Sequence, residues 1–323
     1  MTDNSLDQPT YYAATANRQV ATSDSSAVPD KVDVCVIGAG FTGLSAALEL
    51  ALGGRSVAVF DSCPIGWGAT GRTGGQVCTG YSPGMEGFEK QLGSGDARIC
   101  FDVAEQGKRL IEARIKAHKI DCDLTWGFLH AASRPSHMTG LAEHMEELEK
   151  YGVEGCTLLT REELAGKIGS SAYHGALRER DAGHIHSLNY ALGLADAILG
   201  NGGQIFENTA VSCIEGGSSP ALELKSGKTV ACNQIVVACN AYLGSLVPGL
   251  NHRVMPVASY VVATEPLGEE RARGLIRDNE AVCDSNYVVD YFRMTADHRL
   301  LFGGRCSYSG IHPRDLGSSM RPR

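Results

Sequence analysis

The sequence predicts an α/β protein whose first part contains a parallel sheet and whose second part is α+β with an antiparallel sheet. Three observations support this. Residues 31–61 read as strand, glycine-rich turn, helix and strand. Residues 204–215, 221–225 and 228–233 read as the strands of a three-stranded meander, and the apolar run 234–239 is typical of a buried parallel strand. Residues 255–265 read as a further strand, and 286–294 is expected to pair with 299–304 across the turn at 295–298.

The first unit ends its opening strand on a Gly-x-Gly-x-x-Gly turn formed by Gly38, Gly40 and Gly43. In this pattern the first glycine allows a tight turn, the second lets a pyrophosphate approach the backbone, and the third lets the helix pack closely on the strand. Asp61 ends the next strand, where a carboxylate can accept hydrogen bonds from both ribose hydroxyls and would repel the 2′-phosphate of NADP. The combination predicts a dinucleotide site. The alternative is an incidental glycine-rich turn.

A second glycine-rich stretch, residues 66–76, follows Asp61 where an NAD domain would continue into another helix. So many glycines indicate a backbone that lies flat against a large ligand, and small side chains suit a ribityl chain and a flavin ring. A flexible linker is the alternative, but Trp67, Arg72 and Gln76 are unusual linker residues. The stretch therefore favours FAD over NAD.

Residues 65–76, with the strand–turn–helix unit before them, resemble FAD-dependent amine oxidoreductases of the D-amino-acid oxidase and glycine oxidase superfamily. Within it, the chain resembles most the gamma-glutamylputrescine oxidase subgroup, from about Tyr11 to Arg305. It departs from the subgroup at Thr73, where asparagine is usual. The resemblance implies an FAD-binding, Rossmann-like parallel sheet with a β-meander crossover, plus an α+β substrate domain with an antiparallel sheet.

The resemblance also implies which residues hold FAD. They are Gly38, Gly40, Phe41, Thr42, Gly43, Asp61, Ser62, Gly68, Ala69, Thr70, Arg72, Gly74, Gly75, Gln76, Val211, Cys239 and Asn240. Tyr260, Tyr291 and Arg293 are candidates for the substrate site, because residues 291 and 293 share one side of a strand and an arginine can pair with a substrate carboxylate. The alternative is an edge arginine and core tyrosines. No catalytic residue is singled out.

The predicted domains are interleaved. Two predicted helices, at 95–120 and 136–151, interrupt the nucleotide-binding part and begin the substrate domain. The expected segments are an N-terminal arm (1–30), an FAD-binding domain (31–82 and 183–248), a substrate domain (83–182 and 249–310) and a tail (311–323).

The function implied by the resemblance is oxidation of the C–N bond of a small, gamma-glutamylputrescine-like amine to an imine and then an aldehyde. O2 would be the acceptor, and ammonia and H2O2 the other products. Two alternatives stay open: a glycine- or sarcosine-type amino-acid oxidase, and an inactive truncated flavoprotein fragment. The second arises because relatives continue well past the position of Gly304 with another strand and helix. The chain to Arg323 is therefore expected to bind FAD weakly or not at all.

Composition narrows the remaining possibilities. The 323 residues are 43% hydrophobic and 20% charged, and the net charge of −8 disfavours nucleic acid or an anionic membrane as partner. No apolar run approaches the roughly 20 residues of a membrane span, and no signal peptide is evident. Eleven cysteines without a C-x-x-C pair fit reduced thiols in the cytoplasm. His184 and His186 lack a third ligand, so no metal site is expected, and the oligomeric state stays open.

Overall fold

The computed structural model describes residues 9–81 and 84–307, which divide into two compact units. The first comprises the described residues up to Thr73, with Arg114–Cys122 and Ser187–Val257. The second comprises Gly74–Ala113, Asp123–His186 and the described residues from Ala258. The predicted tail, 311–323, lies outside the described residues.

The secondary structure alternates between strands and helices along most of the chain. The strands of the described residues are β1 (Lys31–Ile37), β2 (Val57–Phe60), β3 (Gln76–Val77), β4 (Thr125–Ala131), β5 (Thr157–Leu159), β6 (Ala176–His184), β7 (Gln204–Phe206), β8 (Val211–Glu215), β9 (Ala221–Leu224), β10 (Thr229–Val237), β11 (Ala258–Ala263), β12 (Ala281–Asp284), β13 (Tyr291–Met294) and β14 (Leu300–Ser307). The α-helices are α1 (Tyr11–Ala14), α2 (Phe41–Leu52), α3 (Glu86–Leu92), α4 (Ser94–His118), α5 (His137–Lys150), α6 (Arg161–Ala165), α7 (Ser187–Gly200) and α8 (Glu269–Leu275). Within the described residues, none of these helices is both long and apolar enough to cross a bilayer.

The first unit is organised around one sheet with the strand order β7-β2-β1-β10-β9-β8. Strands β7, β2, β1 and β10 run parallel, and Val34 faces Val57 on one side and Gln234 on the other. Strands β8, β9 and β10 form an antiparallel meander. All four residues of β2 are buried, as in a parallel sheet that is covered on both faces. The predicted parallel sheet and meander crossover are therefore confirmed.

Two predicted strand boundaries within this sheet are wrong. Residues 204–215, predicted as one strand, form β7 and β8, which lie at opposite edges of the sheet. Residues 228–233 and 234–239, predicted as two strands, are essentially the single strand β10. One strand can serve both roles because Thr229–Ala231 pairs antiparallel with β9 while Lys31–Ile37 pairs parallel along its other edge.

The second unit contains a sheet with the order β11-β14-β13-β12-β4-β6-β3, and β5 also pairs with β6. Only β12 and β4 run parallel among the described pairs of this sheet. The predicted hairpin is present as β13 and β14, with Phe292 opposite Phe302, although β13 begins at Tyr291 and not at residue 286. The α+β antiparallel part of the predicted fold is confirmed.

The helical predictions in this unit agree with the structure to within two residues at each end. The predicted helices 95–120 and 136–151 are α4 and α5. A capping box opens α6, because Glu163 N donates to Thr160 Oγ1 (3.2 Å) and Thr160 N donates to Glu163 Oε2 (2.8 Å).

The unit boundaries differ from the predicted domain segments in ways that pairing explains. Residues 74–77 and 183–186 belong to the second unit because Gln76 pairs with His184 in the antiparallel sheet. The described residues before β1 belong to the first unit, and Asn17 N donates to Asn189 Oδ1 at 3.0 Å there.

Candidate functional site

The turn between β1 and α2 is held by Asp61 at the end of β2. Ala39 N donates to Asp61 Oδ2 (2.7 Å) and Cys63 N donates to Asp61 Oδ1 (2.9 Å). Burial raises the pKa of the Asp61 carboxyl, and the two backbone hydrogen bonds, which lower it, offset that effect only in part. Each carboxylate oxygen also keeps a lone pair beyond the one its backbone bond uses. The ionised carboxylate can therefore gain from further donors such as ribose hydroxyls.

The three glycines of the turn have different spatial requirements. Gly38 has φ +108°, and a Cβ there would lie 2.6 Å from the Ala238 carbonyl oxygen. A Cβ on Gly43 would overlap the Gly38 carbonyl oxygen, so only glycine lets α2 approach β1 this closely. A Cβ on Gly40 would meet only Thr70 Oγ1, at 3.1 Å. The protein itself thus leaves almost enough room for a side chain at position 40. Glycine is needed there so that a ligand in the cavity can approach the backbone.

The amino end of α2 lacks a side-chain cap, because its N-cap residue is Gly40. Leu44 N bonds to the Gly40 carbonyl oxygen, and helix geometry gives the amides of Thr42 and Gly43 no intrahelical acceptor. Phe41 N donates to Thr70 Oγ1 at 3.1 Å, which ties the second glycine-rich stretch to the helix start. The positive end of the helix dipole and two available amides form a site suited to an anion.

This turn opens on a cavity of about 380 Å³ in the first unit. The predicted FAD-binding residues that line it are Gly38, Gly40, Phe41, Thr42, Asp61, Ser62, Gly68, Ala69, Thr70, Val211, Cys239 and Asn240. The structure thus brings together, around one space, residues as distant in the sequence as Gly38 and Asn240.

Other residues that line the cavity were not predicted. They are Ile37, Phe60, Cys63, Gly66, Trp67, Thr73, Ala210, Ala238, Tyr242, Leu243 and Leu246. Trp67 and Tyr242 form an edge-on aromatic pair with ring centroids 5.9 Å apart. Trp67 had a sequence signal, since a large aromatic residue is unusual in a linker, whereas Leu243 and Leu246 had none.

Cys239 is a packing group of this cavity. Burial raises the pKa of its thiol, and the nearby Asp61 carboxylate raises it further. The thiol is therefore held in its neutral form, which is the poorly nucleophilic one.

Two predicted FAD-binding residues of the first unit lie outside the lining. Gly43 packs against β1, as described above. Arg72 donates from Nε to the Trp67 carbonyl oxygen (2.9 Å), and its guanidinium lies 5.0 Å from the centre of the Trp67 ring. Arg72 therefore supports the cavity wall through Trp67.

Gly74, Gly75 and Gln76 belong to the second unit. Gly75 has φ +81°, and its carbonyl oxygen accepts from Ile185 N at 2.8 Å. Gly74 packs under Tyr291, because a Cβ on Gly74 would lie 2.6 Å from Tyr291 Cε2. Gly74 therefore makes room for a ring of the same unit.

The position of Arg293 favours a structural role over the predicted contact with a substrate carboxylate. Its side chain is buried, and it donates to the carbonyl oxygens of Gly74 (2.7 Å), Ile185 (3.0 Å) and Met294 (3.1 Å). The guanidinium therefore braces the backbone of the second unit through these three bonds. Sequence spacing placed residues 291 and 293 on one strand but could not show what lies opposite their side chains.

The two tyrosines of the predicted substrate site differ from Arg293. Tyr291 Oη lies 3.3 Å from Ser259 Oγ. Tyr260 Oη is buried and has no hydrogen-bond partner among the residues that the structure describes. A buried hydroxyl without a partner is costly unless a ligand or water supplies one.

His184 has a structural role. Its Nε2 bonds to the Asn279 carbonyl oxygen at 2.8 Å. Burial and the nearby Arg293 charge lower the pKa of His184 to about 3, so the imidazole is neutral.

Comparison with known proteins identifies the family. The model of the FAD dependent oxidoreductase family, DAO, matches residues 33–321. The chain belongs to this family. FAD is accordingly its cofactor and it is an FAD-dependent oxidoreductase, in agreement with the resemblance and cofactor predicted from the sequence.

Two relatives are similar over most of this DAO-family chain. Gamma-glutamylputrescine oxidoreductase of Escherichia coli (strain K12) is 41% identical over 314 residues, covering 97% of this chain and 73% of the relative. The probable oxidoreductase OrdL of Haemophilus influenzae is 39% identical over 285 residues, covering 86% of this chain and 66% of the relative. The chain thus spans about 66 to 73% of the length of these two relatives.

The fold of the family member is also that of solved oxidases. The crystal structure of glycine oxidase from Geobacillus kaustophilus superposes with a TM-score of 0.70 at 22% identity, covering 90% of this chain and 75% of that one. At this level of identity the similarity concerns the fold alone.

The cavity residues fit an FAD. The α2 amides can meet a diphosphate, Asp61 has spare acceptor capacity for hydroxyl groups, and the lining from Ile37, Phe60 and Val211 is apolar. These are the three chemical environments that the ADP part of a dinucleotide requires.

Proposed function

We propose that this chain binds FAD in the cavity of the first unit and oxidises the C–N bond of a small amine of the gamma-glutamylputrescine type. The observation that carries the proposal is that an uncapped helix start, a half-buried carboxylate and an apolar lining share one cavity. The 41% identity to gamma-glutamylputrescine oxidoreductase supports the choice of substrate class.

Within this proposal, each part of the cavity has one task. Gly40 and the amides of Thr42 and Gly43 hold the pyrophosphate, because they offer N–H donors and no side chain in its way. Asp61 accepts from the ribose hydroxyls. Val211, on the β8 side of the lining, lies at the adenine.

The far end of the cavity would face the rest of the cofactor. Gly68, Ala69 and Thr70 offer small side chains and backbone amides to the ribityl chain. Tyr242 and Trp67 form an aromatic wall beside them, since a Cβ on Gly68 would lie 3.2 Å from Tyr242 Cε2.

The proposed reaction converts a primary amine to an aldehyde. The carbon next to nitrogen loses a hydride and the nitrogen loses a proton, which gives an imine. Water then adds to the imine and releases ammonia and the aldehyde. Bound FAD would supply the two-electron acceptor, and O2 would take those electrons to give H2O2. The protein's task is to bind the amine in its neutral form, because the nitrogen lone pair must form the C=N bond as the neighbouring carbon loses its hydride.

On the substrate side, we propose that Tyr260 and Tyr291 contact the amine substrate. Tyr260 supports this because its buried hydroxyl has no partner among the described residues. The glycine- or sarcosine-type alternative is less supported, because Arg293, the residue we expected to recognise a carboxylate, already donates to three carbonyl oxygens.

A substrate panel tests the proposed activity. The purified chain is loaded with FAD, checked by its absorption spectrum, and assayed for H2O2 with gamma-glutamylputrescine, putrescine, glycine and sarcosine. We expect peroxide and an equal amount of ammonia with gamma-glutamylputrescine and much less with the other three. Peroxide from glycine or sarcosine alone would contradict the proposed amine substrate and would support an amino-acid oxidase of the glycine or sarcosine type. Anaerobic bleaching of the flavin without peroxide in air would reject O2 as the acceptor.

We also propose a cytoplasmic location. The structure describes all eleven cysteines and places none of them in a disulfide, which fits a protein kept in a reducing compartment. Thiol titration of the protein purified without reductant should find eleven reactive thiols after unfolding. A lower number would point to disulfides that formed in an oxidising compartment.

A further inference from the structure

Three polar side chains meet inside the second unit, and none of them lines the cavity of the first unit. His130 lies on β4, His144 on α5 and Glu179 on β6. One potential ligand atom from each lies within 4.8 Å of the other two. No sequence motif indicates this group, because the three positions share no ligand spacing.

Strand pairing explains why His130 meets Glu179. In the β4–β6 pair, Phe128 is opposite Glu179 and His130 is opposite Leu177. His130 and Glu179 are therefore diagonal neighbours on one face of the sheet, a position from which long side chains reach each other. The His130 Nε2 and Glu179 Oε1 atoms form a hydrogen bond.

His144 approaches from α5. Its ring meets the His130 ring edge-on, with centroids 5.6 Å apart and an interplanar angle of 79°. On its other side, His144 Nδ1 lies 3.5 Å from Glu147 Oε2, and Glu147 is itself fixed because its Oε1 accepts from Met85 N at 2.8 Å. A carboxylate at Nδ1 leaves Nε2 available, which is the usual arrangement around a metal-binding histidine.

Glu179 is the buried member of the group. Its side chain is 2% exposed, while those of His130 and His144 are 25% and 35% exposed. Burial tends to raise the pKa of Glu179, but hydrogen bonds from His130 and Thr79 and the charges of His130 and His144 outweigh burial, so the pKa is lowered and the group is ionised. Glu179 Oε2 has no partner with ordinary hydrogen-bond geometry among the described residues, although the Thr79 hydroxyl is near enough to help lower the pKa. A buried carboxylate whose second oxygen is incompletely satisfied favours a second cationic partner.

We propose that His130, His144 and Glu179 form a binding site for a divalent transition-metal ion, with Zn²⁺ as the representative ion. Two imidazole nitrogens and one carboxylate oxygen are a ligand set that Zn²⁺ uses, with water in the fourth position. Bonds of about 2.0–2.2 Å place tetrahedral ligand atoms roughly 3.4 Å apart. The ligand atoms now lie within 4.8 Å of one another, so side-chain rotations that move each of them by about 1 Å would bring them to this separation.

Proton balance follows from the existing hydrogen bond. The ion takes the position between His130 Nε2 and Glu179 Oε1 and displaces the proton that they share. That proton moves to Nδ1 of the His130 ring or to solvent, so metal and proton compete for this group. The alternative reading is a hydrogen-bonded His–Glu pair that binds no ion.

The test uses tag-free protein that has been treated with a chelator and dialysed. Zn²⁺ is titrated by calorimetry and in competition with a chromophoric indicator, and the unfolding temperature is measured with and without Zn²⁺. We expect one Zn²⁺ per chain and a higher unfolding temperature in its presence. No binding by the unaltered chain, or no thermal shift, would overturn the proposal.

Variants locate the bound ion. His144→Ala alters a partly exposed helix residue, so the fold should persist, and the affinity for Zn²⁺ should fall at least tenfold. Glu179→Gln should have a similar effect, with circular dichroism to confirm folding. The matched control is His252→Ala, an exposed histidine of the first unit, which should bind like the parent. Unchanged affinity in a folded His144→Ala would assign the ion to other groups, such as surface thiols, and would overturn the proposal.

Discussion

Removal of the Asp61 carboxylate should weaken FAD binding without altering the flavin spectrum. In the structure each carboxylate oxygen accepts one backbone N–H, from Ala39 at 2.7 Å and Cys63 at 2.9 Å, and retains acceptor capacity for the ribose. Hydrogen bonds to a charged group contribute about 1.5–3 kcal/mol. Asp61→Ala should therefore raise the Kd for FAD roughly ten- to 150-fold.

The same substitution also affects the free protein. It leaves the amides of Ala39 and Cys63 without their acceptor, and the Ala39 residue is fully buried. An unsatisfied buried amide costs about 1–3 kcal/mol, so the free energy of unfolding should fall by a similar amount. Urea unfolding of the FAD-free protein measures this part separately.

The assay is a titration of FAD-free protein followed by the quenching of flavin fluorescence. Asp33→Ala is the matched control: Asp33 Oδ2 accepts from Ser56 N at 2.9 Å, but Asp33 does not line the cavity. Its Kd should equal that of the parent. An unchanged Kd in Asp61→Ala, or an equal loss in Asp33→Ala, would refute the ribose role. An altered absorption spectrum of the bound flavin would place Asp61 at the ring instead.

Three further predictions concern the same regions. Gly40→Val should abolish FAD retention, because its Cβ already lies 3.1 Å from Thr70 Oγ1 and its branches would enter the phosphate space; full flavin content would contradict this. Arg293→Ala should lower the free energy of unfolding by about 3 kcal/mol or more, since three carbonyl oxygens lose a charged donor. Any loss of kcat/KM should be equal for gamma-glutamylputrescine and putrescine. A loss for gamma-glutamylputrescine alone would support the carboxylate-binding role of Arg293. Burial raises the pKa of Asp61, and ribose donors favour its ionised form. The affinity for FAD should therefore increase with pH in the range just above 3.8, where the carboxyl group of the free protein ionises. FAD titrations at several pH values should show this increase in the parent and no such increase in Asp61→Ala.

The nucleotide-binding half of the fold was predictable because its signals are local. The glycines, the strand before them and the acid after them lie within about 30 residues, and each has one dominant structural reason. The exact strands of residues 204–239 were not predictable in the same way. An alternating segment looks the same whether it forms one strand or two, and only pairing with β2 and β9 separates Gln204–Phe206 from Val211–Glu215.

Residues whose role depends on distant partners were the ones that sequence reasoning missed. Arg293 has the charge and strand position of a ligand-binding residue, but its acceptors at Gly74 and Ile185 are more than 100 positions away. His130 and Glu179 have no motif at all, and meet only because of the register of β4 and β6. Periodicity reports the face on which a side chain lies, and it contains no information about the partner on that face.

The hydrogen bonds of the turn amides explain why we expect both glycine-rich stretches to be required for binding the dinucleotide. Ala39 N is committed to Asp61 and Phe41 N to Thr70, so the amides of Thr42 and Gly43 are the helix-start donors left for an arriving anion. The turn before these donors is held at two points, at Ala39 by the end of β2 and at Phe41 by the second glycine-rich stretch. Thr70 therefore belongs with Gly40 to the proposed phosphate site, although it lies 30 residues further along the chain. The two stretches therefore form a single binding element, and a change in either one should affect the affinity for the whole dinucleotide.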